Sequence, residues 1–223
     1  MTHQTLAIRM GPSQHRRRES SWLAASSLVV ATLALTLGFA VRASADGDPM
    51  AAVKGTVNQV LSIVSAPSYK SATSERREKL REVINQRFDF TDMARSAMGY
   101  HWRSLSPAQR DQFVQLFTGL LEASYMGKIE GYKGQKIIYL KETHDGDLAQ
   151  VNTQIAQSGN EPISVNYRLK QSGGSWKVYD VLIDQISLVG NYRNQFTRII
   201  NQKGYDSLVS AMKQKQQSID SGA

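Results

Sequence analysis

The apolar positions of the chain recur at helical spacing from residue 51 to about residue 130. Three segments carry this spacing before residue 100: 51–65, 74–87, and a short one that Asp89 can cap and Gly99 can end. A longer segment starts at Ser106, which precedes Pro107 and is followed by Gln109, the signature of a capping box. Its wide apolar face continues to about residue 130, so the pattern predicts four helices.

At Gly131 the pattern changes from helical spacing to the alternation that is typical of strands. We expect strands over 135–143, 147–157, 162–171 and 175–184, with Asp145-Gly146 as the first hairpin turn. The last strand is apolar on both faces and is expected to be covered on both sides. Two more helices follow, over 188–201 and from Ser207 to about residue 217, where Asp206 can serve as the cap. This order predicts an α+β fold in which the helices pack on a curved four-stranded antiparallel sheet.

The first 45 residues have the layout of a secretory signal peptide. A basic start contains Arg9 and the run 16–18, residues 22–41 are uncharged and mostly apolar or small, and Ala43-Ser44-Ala45 offers a cleavage site. We therefore expect a cleaved leader over 1–45, general export rather than the twin-arginine route, and one domain over 46–223. The alternative is an uncleaved anchor, because about 20 apolar residues can span a bilayer.

The net charge and the cysteine content limit the kinds of function that the protein can have. Residues 1–45 hold five of the 27 Lys/Arg and one of the 19 Asp/Glu, which leaves a formal charge of about +4 on the remainder. This mild, scattered charge does not favour nucleic acid, which usually binds a clustered basic face, but suits an encounter with anionic lipid. The chain has no cysteine, which excludes disulfides, thiol nucleophiles and cysteine metal sites.

No motif of catalysis or cofactor binding stands out. His101 and His144 are the two histidines after the leader and are isolated, and neither a G-x-S-x-G elbow nor a phosphate-cradling glycine motif is present. We predict no enzyme activity, cofactor or metal, although two carboxylates could still meet in space. The apolar stripes by themselves fit a filled core as well as a ligand cavity.

Ordered stretches of the chain resemble the MlaC family of periplasmic phospholipid-binding proteins, also called the toluene-tolerance family. The similarity covers roughly residues 53–213. Its main stretches are GYHWR (99–103), SPAQR (106–110), YKGQ (132–135), VNYRL (165–169), WKVYDV (176–181), ISLV (186–189) and NYRNQF (191–196). Gln185 departs from the family pattern, in which a glycine is expected at this turn.

The resemblance implies a phospholipid carrier with an apolar cavity between helices and sheet. Its implied partners are an inner-membrane ABC transporter with an MCE-domain ring and an outer-membrane lipoprotein complex. The acyl chains are expected on Phe113, Leu116, Phe117, Leu120 and Leu121 of the long helix and on Tyr139, Val151, Val165, Tyr167 and Val178 of the sheet. Arg103 and Arg193 are candidates for the headgroup, and Trp102, Trp176, Tyr192 and Phe196 for structural packing.

Three alternatives remain open at this point. The cargo could be another amphiphile, such as a hopanoid. The protein could instead be an envelope interaction protein or chaperone with a filled core. An enzyme acting on envelope lipids would need His101, Ser187 or acids to converge at the pocket.

Overall fold

The computed structural model describes residues 47–69 and 71–220, so the expected signal peptide lies outside the described residues. Helices occupy α1 (Pro49–Ser65), α2 (Thr73–Arg87), α3 (Phe90–Met98), α4 (Pro107–Glu130), α5 (Leu188–Lys203) and α6 (Tyr205–Asp220). Strands occupy β1 (Ile137–Asp145), β2 (Leu148–Gln157), β3 (Asn160–Ser172), β4 (Ser175–Ile183) and β5 (Ile186–Ser187). Short 3-10 turns follow α1 and α3, at Pro67–Tyr69 and Gly99–Ser104. No described helix combines the length and hydropathy needed to span a membrane.

Side-chain caps fix where the helices begin. The capping box predicted for α4 is present: the Ser106 hydroxyl accepts from the Gln109 backbone, and the Gln109 side chain accepts from the Ser106 backbone. Asp89 caps α3 as predicted. The last helix starts at Tyr205 and not at residue 207, because Gly204 (φ +80°) ends α5 and turns the chain directly into α6.

The strands form one antiparallel meander in the order β1-β2-β3-β4-β5. The fifth strand was not expected. Ile186 and Ser187 pair back onto Ile183 and Leu182 of β4, which adds a two-residue edge to the predicted four-stranded sheet. This short strand leads directly into α5 and so sets where that helix begins.

A bulge in β4 changes which of its residues share a face. Val178 pairs with Leu169 and Asp180 pairs with Arg168, so Tyr179 is the extra residue. Strict alternation along the strand predicts that Trp176, Val178 and Leu182 share one face. After the bulge Val181, rather than Leu182, joins Val178 in one apolar cluster.

The apolar side chains pack into two separate clusters. The helical core joins α3, α4, α5 and α6 around stacked and edge-on rings whose centroids lie 5.4–5.9 Å apart, namely Phe113, Phe117, Tyr192 and Phe196. The sheet core joins α1 to one face of the sheet through Ala52, Val53, Val151, Leu169, Trp176, Val178 and Val181. As predicted, Trp102, Trp176, Tyr192 and Phe196 serve packing.

Asp180 connects the sheet to the helices. This carboxylate is 4% exposed and accepts hydrogen bonds from the Val189 backbone at 3.1 Å and the Ser187 hydroxyl at 2.7 Å. Arg168 donates to it at 3.3 Å from the neighbouring strand. Because a buried carboxylate needs such partners, these bonds fix the start of α5 on β4.

The turn between β4 and β5 predicts a stabilising substitution. Asp184 (φ +47°) and Gln185 (φ +66°) both adopt the left-handed conformation that favours glycine. We expect Gln185→Gly to raise the free energy of unfolding by about 1 kcal/mol, since relief of backbone strain outweighs the weak bond of Gln185 to Ser164. Urea unfolding measures this change.

The matched control is Gln195→Gly in the middle of α5, an exposed glutamine with helical backbone. This change should lower the free energy of unfolding by about 1 kcal/mol. If both glycines destabilise the protein equally, the strain assigned to the turn is wrong.

Candidate functional site

A cavity of about 1040 Å³ lies between the helices and one end of the sheet. Native interiors are close-packed and contain few voids larger than a water molecule. The volume is at the upper end of the roughly 300–1,000 Å³ that is typical of small-molecule pockets. A space of this size and lining is therefore a candidate binding site rather than a packing defect.

Branched aliphatic side chains from the end of the sheet form one wall. Ile137 of β1 pairs with Ile155 of β2, which pairs with Ile163 of β3, and Val165 pairs with Ile183 of β4. All five line the cavity. Because successive residues of a strand point to opposite faces, this register gathers the five on the same face.

Helices form the opposite wall, most of it from α1, α2 and α4, with Phe90 and Met93 of α3 and Leu188 of α5 beside them. α1 contributes Val57, Val60 and Leu61, α2 contributes Ile84, and the C-terminal half of α4 contributes Leu121, Tyr125, Met126 and Ile129. The length of α4 explains this arrangement. Its first half belongs to the helical core, where Tyr205 of α6 donates to the Gln109 carbonyl at 3.0 Å. Its last turns continue past the helical core toward the sheet and line the cavity.

The structure places three of the ten residues assigned to acyl chains on the cavity wall: Leu121, Val165 and Tyr167. The other residues of α4 in that set pack in or against the helical core, namely Phe113, Leu116, Phe117 and Leu120. The remaining sheet residues of the set, Tyr139, Val151 and Val178, belong to or pack against the sheet core, under α1. Contact of any of the ten with lipid stays a prediction.

Neither arginine assigned to a headgroup lines the cavity. Arg193 lies beside Gly99, and its Nε donates to the Ser96 carbonyl at 2.6 Å, which ties α5 to α3. Arg103 is an exposed residue of the 3-10 turn after α3. The cationic residues that do line the cavity are Arg81, Lys128, Lys133 and Lys136.

Sequence reasoning missed the α1 and α2 side of the cavity. Val57, Val60 and Leu61 were recognised as a helical stripe but assigned no role. The signal in the sequence was the length of this apolar stripe, which continues beyond Val53. In the structure, Val53 is the last residue of α1 that is buried in the sheet core. Periodicity alone cannot separate side chains that face a cavity from those that face protein.

Burial keeps two tyrosines of the sheet uncharged, Tyr167 on the cavity wall and Tyr139 against the sheet core. Burial raises the pKa of Tyr167 to about 12, and the nearby Tyr139 adds to this effect. Burial also raises the pKa of Tyr139, whose hydroxyl has no hydrogen-bond partner among the described residues. Both side chains are therefore neutral phenols at any pH at which the protein works.

Ion pairs hold α2 against α4 beside the cavity. Arg76 and Arg77 each reach Glu130 at 2.9 Å, and Arg81 pairs with Glu122. Leu80 is the one described residue of α2 that is fully buried. The α2 side of the cavity is thus attached to α4 largely by charge.

Burial opposes the ionisation of Glu130, but hydrogen bonds from Arg77 and Arg76 outweigh it and lower the pKa of this carboxyl below its ordinary 4.5. We expect Glu130→Gln to destabilise the protein by about 1.5 kcal/mol at pH 7. Because the pKa of Glu130 is lower in the folded protein than its ordinary value, the charged carboxylate stabilises the fold fully above about pH 4.5. This stabilisation is lost as the pH falls through the pKa that Glu130 has in the folded protein. The difference from wild type in urea unfolding should therefore shrink as the pH falls below 4.5.

Glu82→Gln provides the control, because its pair with Lys79 lies on the exposed side of α2. It should change the unfolding midpoint little at neutral or acidic pH. A difference for Glu130→Gln that stays the same size at every acidic pH at which the protein remains folded would contradict the assignment to charge.

Comparisons with known proteins support a common family. Residues 54–214 match the family model described as MlaC protein. One curated relative is the intermembrane phospholipid transport system binding protein MlaC of Haemophilus influenzae, 30% identical over 122 residues, which is 52% of this chain and 57% of that protein. Another is the toluene tolerance protein ttg2D of Pseudomonas putida, 26% identical over 78% of this chain and 83% of that protein.

A solved structure supports the same conclusion. The phospholipid-binding protein from Ralstonia solanacearum, determined in complex with a phospholipid, superposes with a TM-score of 0.71 at 29% identity. The match covers 78% of this chain and 99% of that one. Together with the α+β architecture and the apolar cavity, these matches show that the chain belongs to the MlaC family.

Proposed function

We propose that this protein carries phospholipid, with the acyl chains in the cavity between α4 and the sheet. The observation that carries the proposal is the volume of about 1040 Å³ with a wall of aliphatic and aromatic side chains. The phospholipid in the related Ralstonia solanacearum structure supports the same cargo here.

Lipid carriage depends on the free energy of transferring acyl chains between water and an apolar environment. Removing a methylene from water contributes about 0.8 kcal/mol, so a chain of ~14 methylenes contributes on the order of 10 kcal/mol. When a lipid passes from a membrane into water, it loses this favourable free energy for each of its chains. An apolar cavity in a protein supplies an alternative environment for the chain without any chemical step.

We propose carriage without catalysis. Among the described residues, no group of three or more His, Asp or Glu is placed to hold a metal ion. The Ser187 hydroxyl donates to Asp180 and caps α5, and the His101 ring stacks on Tyr100 at 3.9 Å. Neither residue lines the cavity, and Glu122, the acid among the described lining residues, is paired with Arg81, which supports carriage without catalysis.

We further propose that the protein works in the periplasm, after removal of the leader over 1–45, between two membrane complexes. The proposed partners are an inner-membrane ABC transporter with an MCE-domain ring and an outer-membrane lipoprotein complex. The name of the Haemophilus influenzae relative, which places it in an intermembrane phospholipid transport system, supports this assignment.

The alternative of an envelope chaperone with a filled core has less support, because a large apolar space remains between two cores that are already packed. A different amphiphile, such as a hopanoid, would use the same apolar wall. The headgroup end of the cavity separates these cargoes and is considered below.

Filling the cavity tests the proposed function. We expect Ile155→Trp to reduce the phospholipid that co-purifies with the protein at least about five-fold, because a larger side chain occupies the space that the acyl chains need. Organic extraction followed by mass spectrometry measures lipid per protein, and circular dichroism checks the fold.

The control is Gln154→Trp, one residue earlier on β2, which points to the opposite face of the sheet and does not line the cavity. It should retain lipid as wild type does. Equal retention by the two variants, or no lipid in well-folded wild-type protein, would refute carriage in this cavity.

A further inference from the structure

Charges of the residues that line the cavity are almost all of one sign. In the described part of the lining there are four cations, Arg81, Lys128, Lys133 and Lys136, and one carboxylate, Glu122. Glu122 already forms an ion pair with Arg81. The three lysines therefore remain without a compensating carboxylate on the cavity wall.

The three lysines are close together in sequence and line the same cavity. Lys128 lies in the last turn of α4, and Lys133 and Lys136 lie on the connector from α4 to β1. The connector is braced by its own hydrogen bonds: the Tyr132 hydroxyl donates to the Gln135 carbonyl at 3.0 Å, and the Lys133 backbone donates to the Gln135 side chain at 2.8 Å. The Lys136 carbonyl also accepts from the Ala156 backbone of β2 at 2.9 Å.

The nearest carboxylate of α4 does not neutralise this group. Glu130 lies two residues after Lys128, but its two oxygens are engaged by Arg76 and Arg77. That trio carries a net positive charge of its own. No ion pair or side-chain hydrogen bond of Lys128, Lys133 or Lys136 occurs within the described residues.

We infer that Lys128, Lys133 and Lys136 form a headgroup site that favours a diacyl lipid of net negative charge, such as phosphatidylglycerol, over zwitterionic phosphatidylethanolamine. This inference rests on the proposed carriage of phospholipid. The lysines attract the phosphate of either lipid. The ammonium of phosphatidylethanolamine meets three lysines and no free carboxylate on this wall, so it is disfavoured. An uncharged triterpenoid gains nothing from the lysines.

The test is a competition between the two lipids. Purified protein is incubated with vesicles that contain equimolar phosphatidylglycerol and phosphatidylethanolamine with identical acyl chains, then separated, extracted and quantified by mass spectrometry. Wild-type protein should be enriched in phosphatidylglycerol, and higher salt should weaken the enrichment. In K128Q/K133Q/K136Q the ratio of bound phosphatidylglycerol to bound phosphatidylethanolamine should fall about eight-fold, at roughly two-fold per exposed lysine.

The matched control is K203Q/K213Q/K215Q, which removes the same charge from exposed positions on α5 and α6 that do not line the cavity. It separates a local headgroup site from attraction of the whole protein to anionic vesicles, and its lipid ratio should equal that of wild type. If the two triple variants change the ratio equally, or if neither changes it while lipid still binds, the headgroup site is refuted and carriage stands. If wild-type protein takes up neither lipid, the proposed function itself fails.

Discussion

The structure depends on apolar surface that the protein's own side chains leave uncovered. The helical core and the sheet core are each packed, but the last turns of α4 and the isoleucines at the end of the sheet face a common space. Apolar surface in contact with water costs roughly 25 cal/mol per Å². A guest hydrocarbon would remove this cost, which is the physical basis of the proposed binding of lipid at the cavity wall.

Polar interactions set the positions of the elements around this space. Asp180 fixes the start of α5 on β4, so the helical core keeps a constant position against the sheet. On the other side, Glu122 and Glu130 hold α2 to α4 through arginines rather than through a large apolar contact. One side of the cavity is therefore joined to the packed helical core, and its α2 side is attached to α4 mainly by ion pairs.

The sequence predicted the six helices and the four long strands, but neither the two-residue β5 nor the cavity. Capping residues such as Ser106 and Asp89 act locally, and both helix starts were predicted from them. The bulge at Tyr179 depends on pairing with β3, so alternation along β4 alone gave the wrong set of faces. Phe113 and Leu121 lie on one apolar stripe and both belong to the helical core, yet only Leu121 also lines the cavity, because only tertiary contacts decide what a stripe faces.

The most direct measurement is a crystal structure of the protein purified from cells without added lipid. We predict continuous electron density for hydrocarbon chains between α4 and the isoleucines of β1, β2 and β3, with the lipid's polar end toward Lys133. A cavity without hydrocarbon density, whether it is empty or closed by the protein's own side chains, would contradict the account.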